Sequence, residues 1–250
     1  MRAALWAEVV KLAHSTVGRV GSLAVVAGIA VLSGSMLLAA HSDDPQLLAK
    51  LGPAATGDWK GFMLAAAQIT GAGGLGGFAV VLAWMFGREF GDGTVTGLFA
   101  LPIRRSTIAM AKLLIYAAWV VIMSVLLAAV LILVGLISGL GPLHHDTWEA
   151  LARQVALAIM SAAITLPVAW AATLSRSVLG GVSVAIGLVV VAQVSVLAGL
   201  GGWMPLAAPA LWAVTSGTEV SPVQLSLLIP FAGVATVLTA LSWRRMQLDR

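Results

Sequence analysis

Six predominantly apolar stretches run through the 250-residue chain, separated by shorter polar segments. They cover residues 20–40, 62–86, 113–139, 154–174, 178–200 and 223–243, and none contains Asp, Glu, Lys, Arg or His. A helix needs about 20 apolar residues to cross the hydrocarbon core of a bilayer. Backbone groups in lipid must be satisfied within their own segment, so each stretch is expected to be a helix. The predicted fold is therefore all-α: one polytopic transmembrane domain over residues 1–250, with six spans. The first stretch is longer than the apolar core of a cleaved leader, and 38–40 fits the small-residue cleavage pattern poorly. It is read as a retained helix.

Two polar-rich segments carry patterns of their own. On a helical wheel of residues 1–19, Glu8, Lys11, Ser15 and Arg19 share one face, and Trp6, Val9, Val10, Ala13 and Val17 share the other. That division predicts an interfacial helix lying along the membrane surface. Residues 201–212 are too apolar for a free loop, and too short and too rich in Gly and Pro to cross. A re-entrant or interfacial helical hairpin before span 6 fits them, because such backbone is tolerated when buried in protein.

Composition agrees with this class. Hydrophobic residues make up 60% and charged residues 10% of the chain, against roughly a quarter charged in soluble domains. Mean hydropathy is +1.02. The net charge of +4 does not imply nucleic acid, because the basic residues sit at the ends of apolar runs. The chain has no Cys, which removes thiolate metal sites and disulfides.

Lys and Arg set the expected orientation. With the N-terminus in the cytoplasm, the inside segments hold Arg2, Lys11, Arg19, Arg88, Arg104, Arg105, Lys112, Arg176, Arg244, Arg245 and Arg250, and the outside segments hold Lys50, Lys60 and Arg153. The balance of 11 to 3 places both termini and residues 87–112 in the cytoplasm.

Several motifs lose their usual meaning in this setting. Residues 71–76 spell G-x-G-x-x-G, but in the middle of an apolar run, without the strand and acidic residue a dinucleotide site needs. Gly73 and Gly77 read better as small residues that let helices approach closely. No phosphate-binding loop is present, and none of the four lysines stands in one. His144, His145, Asp146 and Glu149, like His41, Asp43 and Asp44, are expected to be solvated loop charges, so no metal site and no catalytic residue is assigned. Pro167 should kink span 4. The spans carry no ionisable relay of the kind proton-coupled transporters use. Gln68 and Gln193 are the candidates for a translocation path; these and Gln154 more simply bond neighbouring helices.

Residues 87–112 are the most structured of the charged segments. Arg88, Glu89 and Phe90 should continue span 2 beyond the membrane, and Gly91, Gly93 and Gly97 loosen the backbone. Asp92, Gly93 and Thr94 offer a turn and an N-cap. Residues 94–101 then form a short amphipathic helix ended by Pro102, with Arg104 and Arg105 at the headgroups. Ser106 or Thr107 starts the next helix, and Lys112 stands at the membrane boundary. Such an element is a lever held between two rigid spans.

At Arg88, Glu89, Phe90, Gly93, Thr94, Leu98, Leu101, Pro102, Arg105 and Lys112 the chain resembles the first cytoplasmic loop of ABC-2-type ABC transporter permeases. Its length is similar to that of small bacterial permeases of the antibiotic and lantibiotic resistance kind. The resemblance implies a soluble P-loop ATPase subunit that carries ATP and Mg and docks on a coupling helix over 88–101. There, Glu89 would be the polar contact and Phe90, Leu98 and Phe99 the packing ones. It implies a second permease copy, as homodimer or heterodimer, in the bacterial cytoplasmic membrane, and no cofactor bound by this chain. Export of a hydrophobic or amphipathic substrate follows from the same resemblance. A stand-alone transporter or channel, and a scaffold or sensor subunit, are the competing expectations.

Overall fold

The computed structural model describes residues 2–100 and 102–247, and these form helices with no strand. Leu101 and Arg250, both named above, lie outside the described residues. Six helices are long and apolar enough to cross a membrane: Thr16–Ala40, Trp59–Gly91, Arg105–Ile137, His145–Ser175, Val178–Leu197 and Pro222–Arg245. They are spans 1 to 6. Most are longer than the apolar runs that predict them, because polar residues at their ends continue or cap the helix. Asp58 accepts from the Gly61 N–H at the start of span 2, Ser177 caps span 5, and Ser221 with Gln224 closes a capping box on span 6. Span 3 is 33 residues long, about 50 Å at 1.5 Å per residue, so it extends well beyond a ~30 Å core. It begins at Arg105, ahead of the expected Ser106 or Thr107.

Spans 2, 3 and 4 form the centre. Phe62, Phe78, Leu82, Phe86, Leu127, Leu131 and Leu157 are fully buried there. Span 4 is interrupted at Thr165, where Pro167 lacks the N–H a continuous helix would need. The Thr165 hydroxyl donates to the Ala162 carbonyl at 2.7 Å and lies 2.8 Å from Tyr116 Oη of span 3. Spans 1 and 2 each contain one wide π-helical turn, Ala24–Gly28 and Thr70–Gly74. Spans 5 and 6 keep broad apolar faces exposed.

Two local expectations are corrected. Residues 1–19 are not one helix: a helix over Arg2–His14 ends at Ser15, whose Oγ caps span 1 by accepting from the Gly18 N–H at 2.8 Å. A Cβ at Gly18 would stand 2.1 Å from the Leu12 carbonyl oxygen, so this break requires glycine. The orientation of the first helix also differs. Glu8 and Leu12 are buried against the protein while Trp6 is 72% exposed, so its charged face turns inward. Second, residues 201–216 form turns and one helix, Ala208–Val214, instead of a hairpin. That helix packs on spans 2 and 4, closely enough that a Cβ at Gly71 would meet Ala210 Cβ at 2.9 Å.

The first helix, residues 87–112 and the ends of spans 5 and 6 meet at one end of the bundle, here the basal end. The segments around 41–58, 138–144 and 198–221 lie at the distal end.

Candidate functional site

Span 2 leaves the bundle at the basal end through Gly87, whose missing Cβ is what permits the approach of span 5. A Cβ there would lie 2.5 Å from the Val178 nitrogen and 2.7 Å from its Cα. Two residues on, Glu89 turns into the protein and is 1% exposed. Its Oε1 accepts from Lys11 Nζ at 2.7 Å and from Lys112 Nζ at 2.9 Å. Glu8 accepts from the same two ammonium groups, from Lys11 at 3.1 Å and from Lys112 at 2.9 Å. Each lysine therefore meets each carboxylate, in a closed ring of alternating charge drawn from the first helix, span 2 and span 3.

The ring is neutral in sum, and that is the condition for burying it. Desolvating an unpaired charge costs several kcal/mol, and only close, hydrogen-bonded partners offset this. No water-sized void remains around Glu8, Lys11, Glu89 and Lys112. Lys11 is the most exposed of the four. Burial pulls its ammonium toward deprotonation, but the hydrogen bond to Glu89 and the charges of Glu8 and Glu89 prevail and raise its pKa above the ordinary 10.5.

The remaining Glu89 oxygen, Oε2, accepts from Thr94 Oγ1 at 2.6 Å. Thr94 was expected to cap the short helix; its hydroxyl instead ties that helix to the ring, and its side chain makes no capping bond. Gly93, at φ +68°, supplies the left-handed residue that reverses the chain. The short helix then covers Val95–Phe99. Phe99 and Phe90 pack on the fully buried Trp243 of span 6, with ring centroids 6.2 and 6.4 Å away. Phe86 approaches the same ring at 6.0 Å. The indole Nε1 of Trp243 donates to Thr173 of span 4 at 3.0 Å. Arg105 lies over the Phe99 ring at 4.1 Å and donates to the Met246 carbonyl. One short helix is thus joined to the first helix and to spans 2, 3, 4 and 6.

The expected contact residues divide into two groups. Glu89 faces inward and is enclosed by its own chain, so it presents nothing to a docking protein. Phe90, Leu98 and Phe99 are half-buried against the core. Arg88 is half-buried over Trp84 and pairs with Asp92 at 3.3 Å. Asp92, Gly93, Thr94, Thr96, Gly97, Ala100, Pro102 and Arg104 are exposed and form the outer surface.

The residues inferred for packing and passage are dispersed. Gly77 lies against span 1, where a Cβ would meet Val25 at 2.8 Å, whereas Gly73 has open space around it. Gln68 is half-buried, Gln193 is exposed on span 5, and Gln154 is buried with Nε2 donating to Thr70 Oγ1 at 2.6 Å. The sequence reading missed Glu8, Lys11 and Trp243 as parts of the basal junction, along with the constraint at Gly87. Its one available signal was Lys112, a lone cation at the start of a long apolar span.

A family model described as ABC-2 family transporter protein matches residues 4–195. No curated protein matches the chain.

Proposed function

The chain belongs to the ABC-2 family of transporter proteins, and on that premise we propose that it is the membrane-spanning permease subunit of an ATP-driven exporter. A soluble ATPase subunit, holding ATP and Mg, docks on the exposed surface formed by Asp92, Thr96, Gly97, Ala100, Pro102 and Arg104. Glu89 is a positioning residue in this reading: through the ring and Thr94 it fixes how the short helix stands on the bundle. Phe90, Leu98 and Phe99 carry the displacement to Trp243. The basal end faces the cytoplasm, a side the distribution of Lys and Arg supports, and the membrane is that of a bacterial cell, as the resemblance implies.

The observation that carries the reading is the join itself. A solvent-exposed turn and helix are attached through Thr94 to the buried ion-pair ring and through Phe99 to the aromatic packing on Trp243, which ties them to the first helix and to spans 2, 3, 4 and 6. A push there moves packed helices together, because close-packed interiors shift as bodies. The chain has no phosphate-binding loop of its own, so the energy enters through a partner. A second permease copy accounts for the exposed amide of Gln193 and the open face at Gly73, features that pack poorly against lipid alone. The cargo is hydrophobic or amphipathic.

Gly97→Trp tests the docking surface. A Cβ at Gly97 meets nothing within 4 Å, so the fold accepts the side chain while a docked partner does not. Co-purification of the ATPase and ATP turnover by the complex should fall with the amount of inserted permease unchanged. Unaltered co-purification and turnover would remove the assignment.

A further inference from the structure

One face of span 6 is an apolar stripe that ends in a cation at the basal end. Val234, Leu238, Leu241 and Arg245 follow one another at helical spacing and share that face. Val234 is 59% and Leu241 37% exposed. From Val234 to Arg245 the stripe descends about 16 Å at 1.5 Å per residue, close to half of a ~30 Å hydrocarbon core. Span 4 faces it with Trp170 and Leu174, and the two spans line a cavity of about 440 Å³ with Arg176 and Arg245 at its basal rim.

The groove is held in shape by hydrogen bonds between the spans. Trp170 Nε1 donates to Ser242 Oγ at 3.1 Å, and Trp243 Nε1 donates to Thr173 Oγ1 at 3.0 Å. Arg105 and Arg176 fix the rim by donating to the Met246 and Gln247 carbonyls just beyond span 6. Arg244 and Arg245 are exposed, and no described carboxylate pairs with either. The basal ends of spans 3, 4 and 6 therefore present Arg104, Arg105, Arg176, Arg244 and Arg245 below an apolar groove.

We infer that this groove is a binding site for one anionic phospholipid of the basal leaflet, with its phosphate at Arg245 beside Arg176 and an acyl chain along Val234, Leu238 and Leu241. Basic pockets between transmembrane helices suit anionic heads. A zwitterionic head would bring its own ammonium among the guanidinium groups. The stripe selects a lipid over a soluble phosphate, because its length matches one leaflet and only a chain can cover it.

The chain has no Cys, so Val234→Cys takes a single bimane label. The full labelled chain is placed in nanodiscs with rising fractions of phosphatidylglycerol or phosphatidylcholine that carry identical brominated chains, which quench the label on contact. Half-maximal quenching should need about a fivefold lower fraction of the anionic lipid, the scale of one arginine near a charged surface. At Ile122→Cys, on the exposed face of span 3, the two lipids should quench alike. Arg245→Gln should bring the Val234→Cys signal close to parity. Leu241→Trp, which narrows the groove with every arginine in place, should do the same. Arg19→Gln removes an exposed basal charge outside the groove and should leave the preference unchanged. Sodium phosphate, matched in ionic strength by sodium chloride, should not displace the lipid. Equal quenching at Val234→Cys, the same preference at Ile122→Cys, an equal loss with Arg19→Gln, an undiminished preference in Leu241→Trp, or displacement by phosphate overturns the inference. These readouts need neither an ATPase nor transport, so they stand apart from the function proposed above.

Discussion

The two ends of the bundle treat polar groups in opposite ways. At the basal end four charges from three elements close into a ring with no space for water. At the distal end polar side chains surround a cavity of about 930 Å³, and a buried amide oxygen has no partner. A satisfied buried network fixes one arrangement of the elements that contribute to it. A wide, polar-lined cavity holds its surrounding elements less closely. The contrast suits the function proposed above, in which the basal end receives force from a partner.

The strongest test removes a charge from the ring. Glu89→Ala leaves Lys112 buried beside a single carboxylate, a class of change that costs about 3–5 kcal/mol. A marked fall in melting temperature and in recovered protein is expected. Residues 87–112 taken alone predict loss of ATPase contact with normal insertion, and thermal melts of the purified chain separate the two outcomes. Glu89→Gln combined with Lys112→Met should cost less than the two single changes added together, as a cycle over a coupled pair requires.

Gly87→Ala ranks next. Its methyl group would press on the backbone of Val178 at 2.5–2.7 Å, and overpacking of this kind costs about 1–3 kcal/mol. A lowered melting temperature is expected, whereas Gly97→Ala, with open space around it, should leave it unchanged. If both behave alike, the basal end is less tightly packed than its geometry implies.

pH should separate the ends with a smaller effect. Lys11 has a raised pKa, so its contribution is full below 10.5 and is lost as pH rises through the higher folded value. Asp58 at the distal end works the other way. Burial opposes its ionisation, but the Gly61 N–H and the Thr56 hydroxyl hold its pKa below 3.8. Its contribution is present above 3.8 and is lost as pH falls through the lower folded value. A fluorophore placed near residue 3 should report loosening in alkali first, and one near residue 57 in acid first. The reverse order would break the comparison. Asp58→Ala should cost about 1 kcal/mol as a lost N-cap.

The smallest change is expected at Gln154, beside the distal cavity. Gln154→Leu removes the unpaired acceptor together with one hydrogen bond, and the two effects oppose each other. Melting should shift by less than about 1 kcal/mol equivalent. A loss as large as that of Glu89→Ala would mean that the distal end is as rigidly specified as the basal one.

The spans were legible because apolar runs of this length have one solution in lipid. Their true ends were less so: polar residues extend spans 2 and 4 at 59–61 and 145–153, whereas the starts of spans 5 and 6 fall within one residue of the sequence reading. The basal junction was half legible. Local spacing identified the turn at Gly93 and the short helix, but Glu8 and Lys112 are 104 positions apart, and no local pattern joins them. Amphipathicity also misdirected the reading of the first helix. It separates polar from apolar faces without saying whether the polar face meets water or another buried charge. Gly87 looked like one of many glycines, because the backbone it makes room for lies in a different span.

The ring also constrains biogenesis. Glu8 and Lys11 leave the ribosome first, Glu89 follows at the end of span 2, and Lys112 arrives last, near the start of span 3. Before that moment the partial cluster has two carboxylates and one ammonium, so it carries an uncompensated negative charge and has no reason to leave water. The first two spans can be inserted, but they cannot lock to the amino-terminal helix until the third is made. A chain stalled or truncated before residue 112 would be left with an open, hydrated basal end that quality-control proteases can recognise.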